Sequence, residues 1–204
     1  DSLRNFAAEI REAVDAVAPH VRIGICSAQS LWEQDGTSAT EIAAILAGDT
    51  KPTARLYGAP YWAIHAGKSL PWVFENARNV ASFCRGAETE LWAEGDVYPR
   101  PRCFTPASYL ELYDAMVRAD GQYQKILKYM ADYSAPPEYE TGYLARHKRD
   151  LPDLEAVSAC FAGTETVGVR VVTRTGLLAG ADLSVSGLTN EYDSPTAGIL
   201  LAQN

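Results

Sequence analysis

The feature that most constrains this chain is a unit of short strand, long loop and helix that recurs four times. A helix over Asn5 to Val17, with Phe6, Ile10, Val14 and Val17 at helical spacing, is stopped by Pro19. The first strand follows as the β-branched run Val21 to Cys26. Ser38 and Glu41 have the spacing of a capping box and predict a helix over Ala39 to Ala47, closed by Gly48. The second unit is the strand Thr53 to Tyr57 and a helix capped by Ser69, with Pro71 in its first turn, a stripe of Trp72, Val73, Ala77, Val80 and Phe83, and Gly86 as its stop. The third is the strand Thr89 to Ala93 and a helix begun by Thr105-Pro106, with Tyr109, Leu112, Tyr113 and Met116 inward. The fourth is the strand Gln124 to Met130, a loop from Asp132 to Gly142, and a helix over Tyr143 to Phe161 interrupted near Pro152.

Alternation at this spacing predicts an α/β fold with a parallel sheet and right-handed crossovers. Two architectures satisfy it: an open doubly wound sheet and part of a (β/α)8 TIM barrel. The loops favour the barrel. Those after the strands are long and rich in Trp, Tyr, Asp, Glu and Arg, whereas those before the strands are short. A barrel builds its active site from the former and only holds itself together with the latter. Four units are half a barrel. The chain starts at Asp1 inside a helical pattern and stops within an apolar run, which reads as an internal piece of a longer protein. Residues 1–163 are therefore assigned to the C-terminal half of a barrel. Residues 164–204, opening with a strand over Val167 to Val172, are assigned to the start of an accessory α/β domain, truncated.

Composition narrows the function by exclusion. The 204 residues are 47 % apolar and carry 18 basic against 26 acidic side chains, a net charge of −8. Such a surface is a poor partner for nucleic acid or anionic lipid. No apolar run reaches the roughly 20 residues that span a bilayer, and no leader precedes the first helix, so the expected compartment is the cytoplasm. The four cysteines are widely spaced, with no C-x-x-C, and all but Cys103 sit in apolar stretches, as reduced buried thiols do. Three scattered histidines give no metal spacing. Nucleophile-elbow, phosphate-loop, dinucleotide-fingerprint and H-E-x-x-H patterns are missing from these residues.

Glu94 is the leading catalytic candidate. It ends the strand run Thr89-Glu90-Leu91-Trp92-Ala93, where a barrel exposes its chemistry, and Asp96 follows two residues on. Carboxylates so placed suit glycoside hydrolysis, in which one acid protonates the leaving oxygen and a second carboxylate attacks the sugar or activates water. A solvated loop acid is the plain alternative. Trp32, Tyr57, Tyr61, Trp62, Tyr98 and Tyr133 lie in or beside the loops after strands. Their rings could stack on the apolar faces of sugars or simply pack over the barrel mouth. Asp96, Asp132 and Glu140 are candidates to hold hydroxyls, with Glu138 near the same mouth. Arg100 and Arg102 fit structural ion pairs with these acids better than a substrate anion. The run Arg146-His147-Lys148-Arg149 reads as a solvated helix face.

Leu91-Trp92-Ala93-Glu94, the proline-rich loop after it, the helix Tyr109 to Asp120 and the strand Ile126 to Tyr133 together resemble the end of a clan A glycoside hydrolase barrel. The nearest type is glycoside hydrolase family 42, the β-galactosidases with an α/β trimerisation domain after the barrel. The resemblance implies that the four strands are the fifth to eighth and that Glu94 is the nucleophile of a retaining mechanism. It also implies that Glu138 or Glu140 lies on the loop after the last strand, that the acid/base glutamate precedes Asp1, and that an accessory domain able to form homo-oligomers begins near Val167. The loop Gly95 to Arg102 departs from the family's usual sequence, as does Tyr57-Gly58-Ala59-Pro60-Tyr61-Trp62, so β-galactoside specificity is not carried over. The expected partner is a carbohydrate, in a catalytic barrel or a binding-only one, with no metal and no cofactor. An open-sheet assembly domain is the reading from outside carbohydrate chemistry.

Overall fold

The computed structural model describes residues 2–27, 36–59, 70–84, 88–100, 102, 104–133, 135–165 and 167–168. Its elements run α1 (Ser2–Asp15), β1 (Ile25–Cys26), α2 (Ala39–Ala47), β2 (Thr53–Leu56), α3 (Leu70–Ser82), β3 (Glu90–Gly95), α4 (Ala107–Asp120), β4 (Lys125–Lys128) and α5 (Gly142–Phe161). The four strands form one parallel sheet in the order β1-β2-β3-β4. Sequence order and spatial order coincide, so within the sheet there is no reversal of the kind a doubly wound sheet has at its switch point.

Strand alternation sorts the sheet into two faces. Ile25, Ala54, Leu56, Leu91 and Ala93 form a single core with Ile42, Ala43 and Leu46 of α2, Val73, Phe74, Ala77 and Ala81 of α3, and Tyr113 and Val117 of α4. The alternate positions are Cys26, Thr53, Arg55, Glu90, Trp92, Glu94, Lys125 and Leu127. One face is thus apolar and roofed by helices, and the other is mostly polar and charged. Gly58 lets the end of β2 approach α3. Its φ is 153°, and a Cβ there would stand 2.8 Å from that of Ala77.

Local chemistry sets the element ends. Ser38 Oγ accepts from Glu41 N–H at 3.1 Å, and the Glu41 carboxylate accepts from Ser38 N–H in return, completing the capping box. Gly121, at φ 72°, ends α4 with its N–H on Val117 C=O.

Several expectations shift. The first strand is only Ile25–Cys26, and Glu94 lies inside β3 rather than beyond it. On α1 the buried positions are Ala7 and Arg11, while Phe6 and Val17 are exposed. The helix rolls because Arg11 donates to Leu46 C=O at the end of α2 and to Val21 C=O, a cation satisfying orphan carbonyls. Leu112 faces solvent, because α4 instead turns Glu111 and Asp114 inward. Helix α5 runs unbroken through Pro152. The carbonyl that proline orphans belongs to Lys148, an exposed residue that water can serve. Cys84 is buried as expected, but Cys26 and Cys160 are exposed. Val167 is exposed and outside any strand, and residues 169–204 of the proposed accessory domain lie outside the described residues.

Candidate functional site

Glu94 sits at the C-terminal end of β3 on the polar face, 4 % exposed. Arg55 pairs with Trp92 in the β2–β3 register, so it lies diagonally one step from Glu94, and its Nη1 makes an ion pair with Glu94 Oε1. Burial draws the Arg55 pKa down, but the Glu94 charge and then a hydrogen bond with Cys26 leave it above its ordinary value. Tyr113 reaches the neighbourhood from α4. Burial, and after it the Glu94 charge, push its phenol well above the ordinary 10. Its Oη finds no hydrogen-bond partner among the described residues.

On the same polar face, Trp92 Nε1 donates to Glu90 at 2.6 Å, and Lys125 Nζ stands 5.0 Å from the centre of the Trp92 ring. Arg22, Lys51 and Lys125 surround Glu90 at 3.0–3.2 Å. The Trp92 indole first, then these cations, hold the Glu90 carboxyl down at about 2.

The remaining sequence candidates divide. Asp96 is buried in an ion pair with Arg100 and accepts from Val97 N–H at 2.8 Å. Arg100 also donates to Tyr129 C=O and Ala131 C=O and lies 5.1 Å from the centre of the Tyr143 ring, tying the loop after β3 to the loop after β4. Glu140 is buried as well. It accepts from Gly142 N–H at 2.5 Å and Arg102 N–H at 3.2 Å, so its bonds fasten the start of α5. Asp132 is half-buried just past β4. Trp32, Tyr61 and Trp62 lie outside the described residues. Tyr98 and Tyr133 are exposed, as are Phe104 and Tyr139, which the sequence reading did not single out. All four rings stand on the loops that follow β3 and β4.

A second polar cluster escaped the sequence reading. Lys128 Nζ, at the end of β4, donates to Glu111 Oε2 at 2.9 Å, Asp114 Oδ2 at 2.6 Å and His147 Nδ1 at 2.9 Å. Three protons meet three acceptors. His147 Nδ1 also stands 3.2 Å from Glu111 Oε2, so the imidazole belongs to the same cluster. His147 thus turns inward from the run read as solvated. Glu111, Asp114 and His147 present ligand atoms within 4.8 Å of one another, the donor set of a divalent cation, with Lys128 in the cation's place. The available signal was the pair Glu111 and Asp114 on one face of α4, three residues apart.

No protein-family model, curated protein or solved structure matches this chain. Among the described residues, no helix is long and apolar enough to cross a membrane.

Proposed function

We propose that the chain is part of a (β/α)8 barrel that hydrolyses O-glycosidic bonds with retention, Glu94 being the nucleophile. The observation that carries this reading is the ion pair of half-buried Arg55 with buried Glu94 at the C-terminal end of β3, on the face away from the helices. Sequential parallel order with helices packed on one face is the arrangement of a barrel wall, and its polar face is then the interior. A guanidinium beside a carboxylate suits a group that works as an anion. In the reaction the Glu94 carboxylate bonds to the anomeric carbon as the bond to the leaving oxygen breaks. That oxygen takes a proton from a second carboxyl group, itself about 5–5.5 Å from the Glu94 carboxylate, which then deprotonates the water that releases the sugar. Tyr98, Tyr133 and Tyr139 offer exposed rings for sugar faces, joined by Trp32, Tyr61 and Trp62 from the sequence reading. Asp132 holds hydroxyls. Asp96 and Glu140 support the site by fixing its loops.

Incubation with 2-deoxy-2-fluoro glycosides bearing good leaving groups, followed by intact mass and peptide mapping, tests the assignment. A sugar adduct on the Glu94 peptide, lost in Glu94→Gln together with turnover, is the expected result. Turnover that persists in Glu94→Gln, or an adduct elsewhere, refutes it. The ion pair that already engages Glu94 favours a second reading, a carbohydrate-binding barrel without catalysis. That reading predicts sugar binding undiminished by Glu94→Gln and no adduct from any glycoside.

A further inference from the structure

We infer that the groove between the first turns of α4 and α5 binds the phosphate group of a small phosphorylated metabolite. The groove is open, has a volume of about 400 Å³ and is lined by Arg102, Arg146 and Arg149, with Ala107 and Ser108 from α4 and Gly142 from α5. Its lining holds three guanidiniums and no carboxylate, in a chain whose net charge is −8. The nearby acids do not cancel the charge. Glu140 pairs with Arg102 at 3.4 Å, and Asp150 is shared by Arg146 and Arg149, which leaves one cation in excess.

The helices add to the same field. Neither α4 nor α5 has an acidic residue in its first turn, and neither Pro106 nor Thr141 supplies a side-chain cap. Glu140 takes the Gly142 amide, whereas the Ala107 and Ser108 amides of the α4 turn have no partner among the described residues. Guanidinium forks arriving from a loop and from two successive turns of α5 match the several oxygens of a tetrahedral dianion better than the two of a carboxylate. The volume is far larger than a bare phosphate and lies within the roughly 300–1,000 Å³ of small-molecule sites, so an organic part is seated too. Both helices begin after the C-terminal ends of their strands, which places the groove at the end of the sheet where α/β proteins bind ligands. This explains why Arg146 and Arg149 recur on α5 three residues apart. It rests on the groove alone and is independent of Glu94.

Calorimetric titration at constant ionic strength tests it, with glucose 6-phosphate as the probe and glucose, inorganic phosphate and chloride as comparisons. Saturable binding of the ester is expected at a Kd of about 1 mM or tighter. Glucose and inorganic phosphate should bind at least tenfold more weakly. Ser108→Asp places a carboxylate in the groove at a position where an acid suits the helix dipole, so the protein stays folded by circular dichroism while affinity falls at least tenfold. The double variant Arg102→Gln/Arg149→Gln, at two exposed positions, should lose as much. Binding no stronger than that of chloride, or wild-type affinity in both variants, overturns the site. Equal binding of inorganic phosphate and the ester overturns the metabolite assignment.

Discussion

Removal of the Lys128 ammonium tests whether the cluster between β4, α4 and α5 is a cation-centred unit. The Lys128 side chain is 4 % exposed, and its carboxylate partners are 5 % exposed at Glu111 and 0 % at Asp114. In Lys128→Ala, Asp114 keeps Arg118 at 2.7 Å, but Glu111 keeps only His147. A buried carboxylate stripped of its cation costs about 3–5 kcal/mol. For a chain of this size that lowers Tm by roughly 6–20 °C, at about 2–4 °C per kcal/mol.

The same variant vacates a site for metal. Glu111, Asp114 and His147 then face an empty centre, and a closure of an ångström or so brings their ligand atoms to the spacing of zinc bonds about 2.0–2.2 Å long. Thermal denaturation followed by circular dichroism, with and without Zn²⁺, is the assay. Zinc at 100 times its Kd should return about 2.7 kcal/mol to Lys128→Ala and leave the wild type, whose ammonium fills the centre, unmoved. The double variant Lys128→Met/Glu111→Gln should recover most of the lost stability without metal, because Asp114 keeps Arg118 and no uncompensated charge remains. A Lys128→Ala protein within about 1 kcal/mol of wild type, or one indifferent to zinc, refutes this account.

Two further outcomes follow from the polar face and the loop above it. Glu90 has its carboxyl lowered from the ordinary 4.5 to about 2 by the Trp92 indole, Lys51 and their neighbours, so the ionised form is the one the folded state prefers. Its contribution is present above pH 4.5 and lost as pH falls toward 2, so Glu90→Gln should flatten the acid limb of a urea-midpoint profile over that window, and an unchanged limb rejects the network. Asp96→Ala should cost about 3–5 kcal/mol in urea denaturation by leaving buried Arg100 without its anion, while sugar affinity changes less than stability; a stable variant with lost affinity would make Asp96 a substrate ligand instead.

The strand-loop-helix rhythm was legible because each unit carries its own punctuation. Ser38 and Glu41 located α2 to the residue, and Thr105-Pro106 located the start of α4. Side-chain direction was less legible. The stripe through Tyr109, Leu112 and Met116 scores as apolar, yet α4 buries Glu111 and Asp114, because an ammonium from a strand fourteen residues further on compensates them. Periodicity assumes that the polar side faces water, and a tertiary ion cluster reverses that assumption. Arg11 on α1 misled in the same way, since its partners are carbonyls of α2 and of the segment before β1. At the candidate site, Glu94 could be found from its strand-end position. Its partner Arg55 could not, because only the β2–β3 register makes them neighbours.

That register gives the polar face its meaning. A parallel sheet in a doubly wound α/β protein buries both sides under helices, and its strands then read as continuous apolar runs. Here β2 and β3 alternate instead: Ala54 and Leu56 against Thr53 and Arg55, and Leu91 and Ala93 against Glu90, Trp92 and Glu94. The charged side is not a simple solvent face either, since Glu90 and Glu94 are both buried and each is met by a basic side chain from another strand or loop. Burying such charges costs free energy that apolar residues would not. Glu90 and Glu94, on either side of Trp92, thus give the face of β3 away from the core helices buried, paired charges in place of apolar side chains. The Arg55–Glu94 pair therefore makes a sharper test than Glu94 alone. Arg55→Met should impair turnover through Glu94 if the pair serves chemistry, and in a double-variant cycle with Glu94→Gln the two losses should be far from additive.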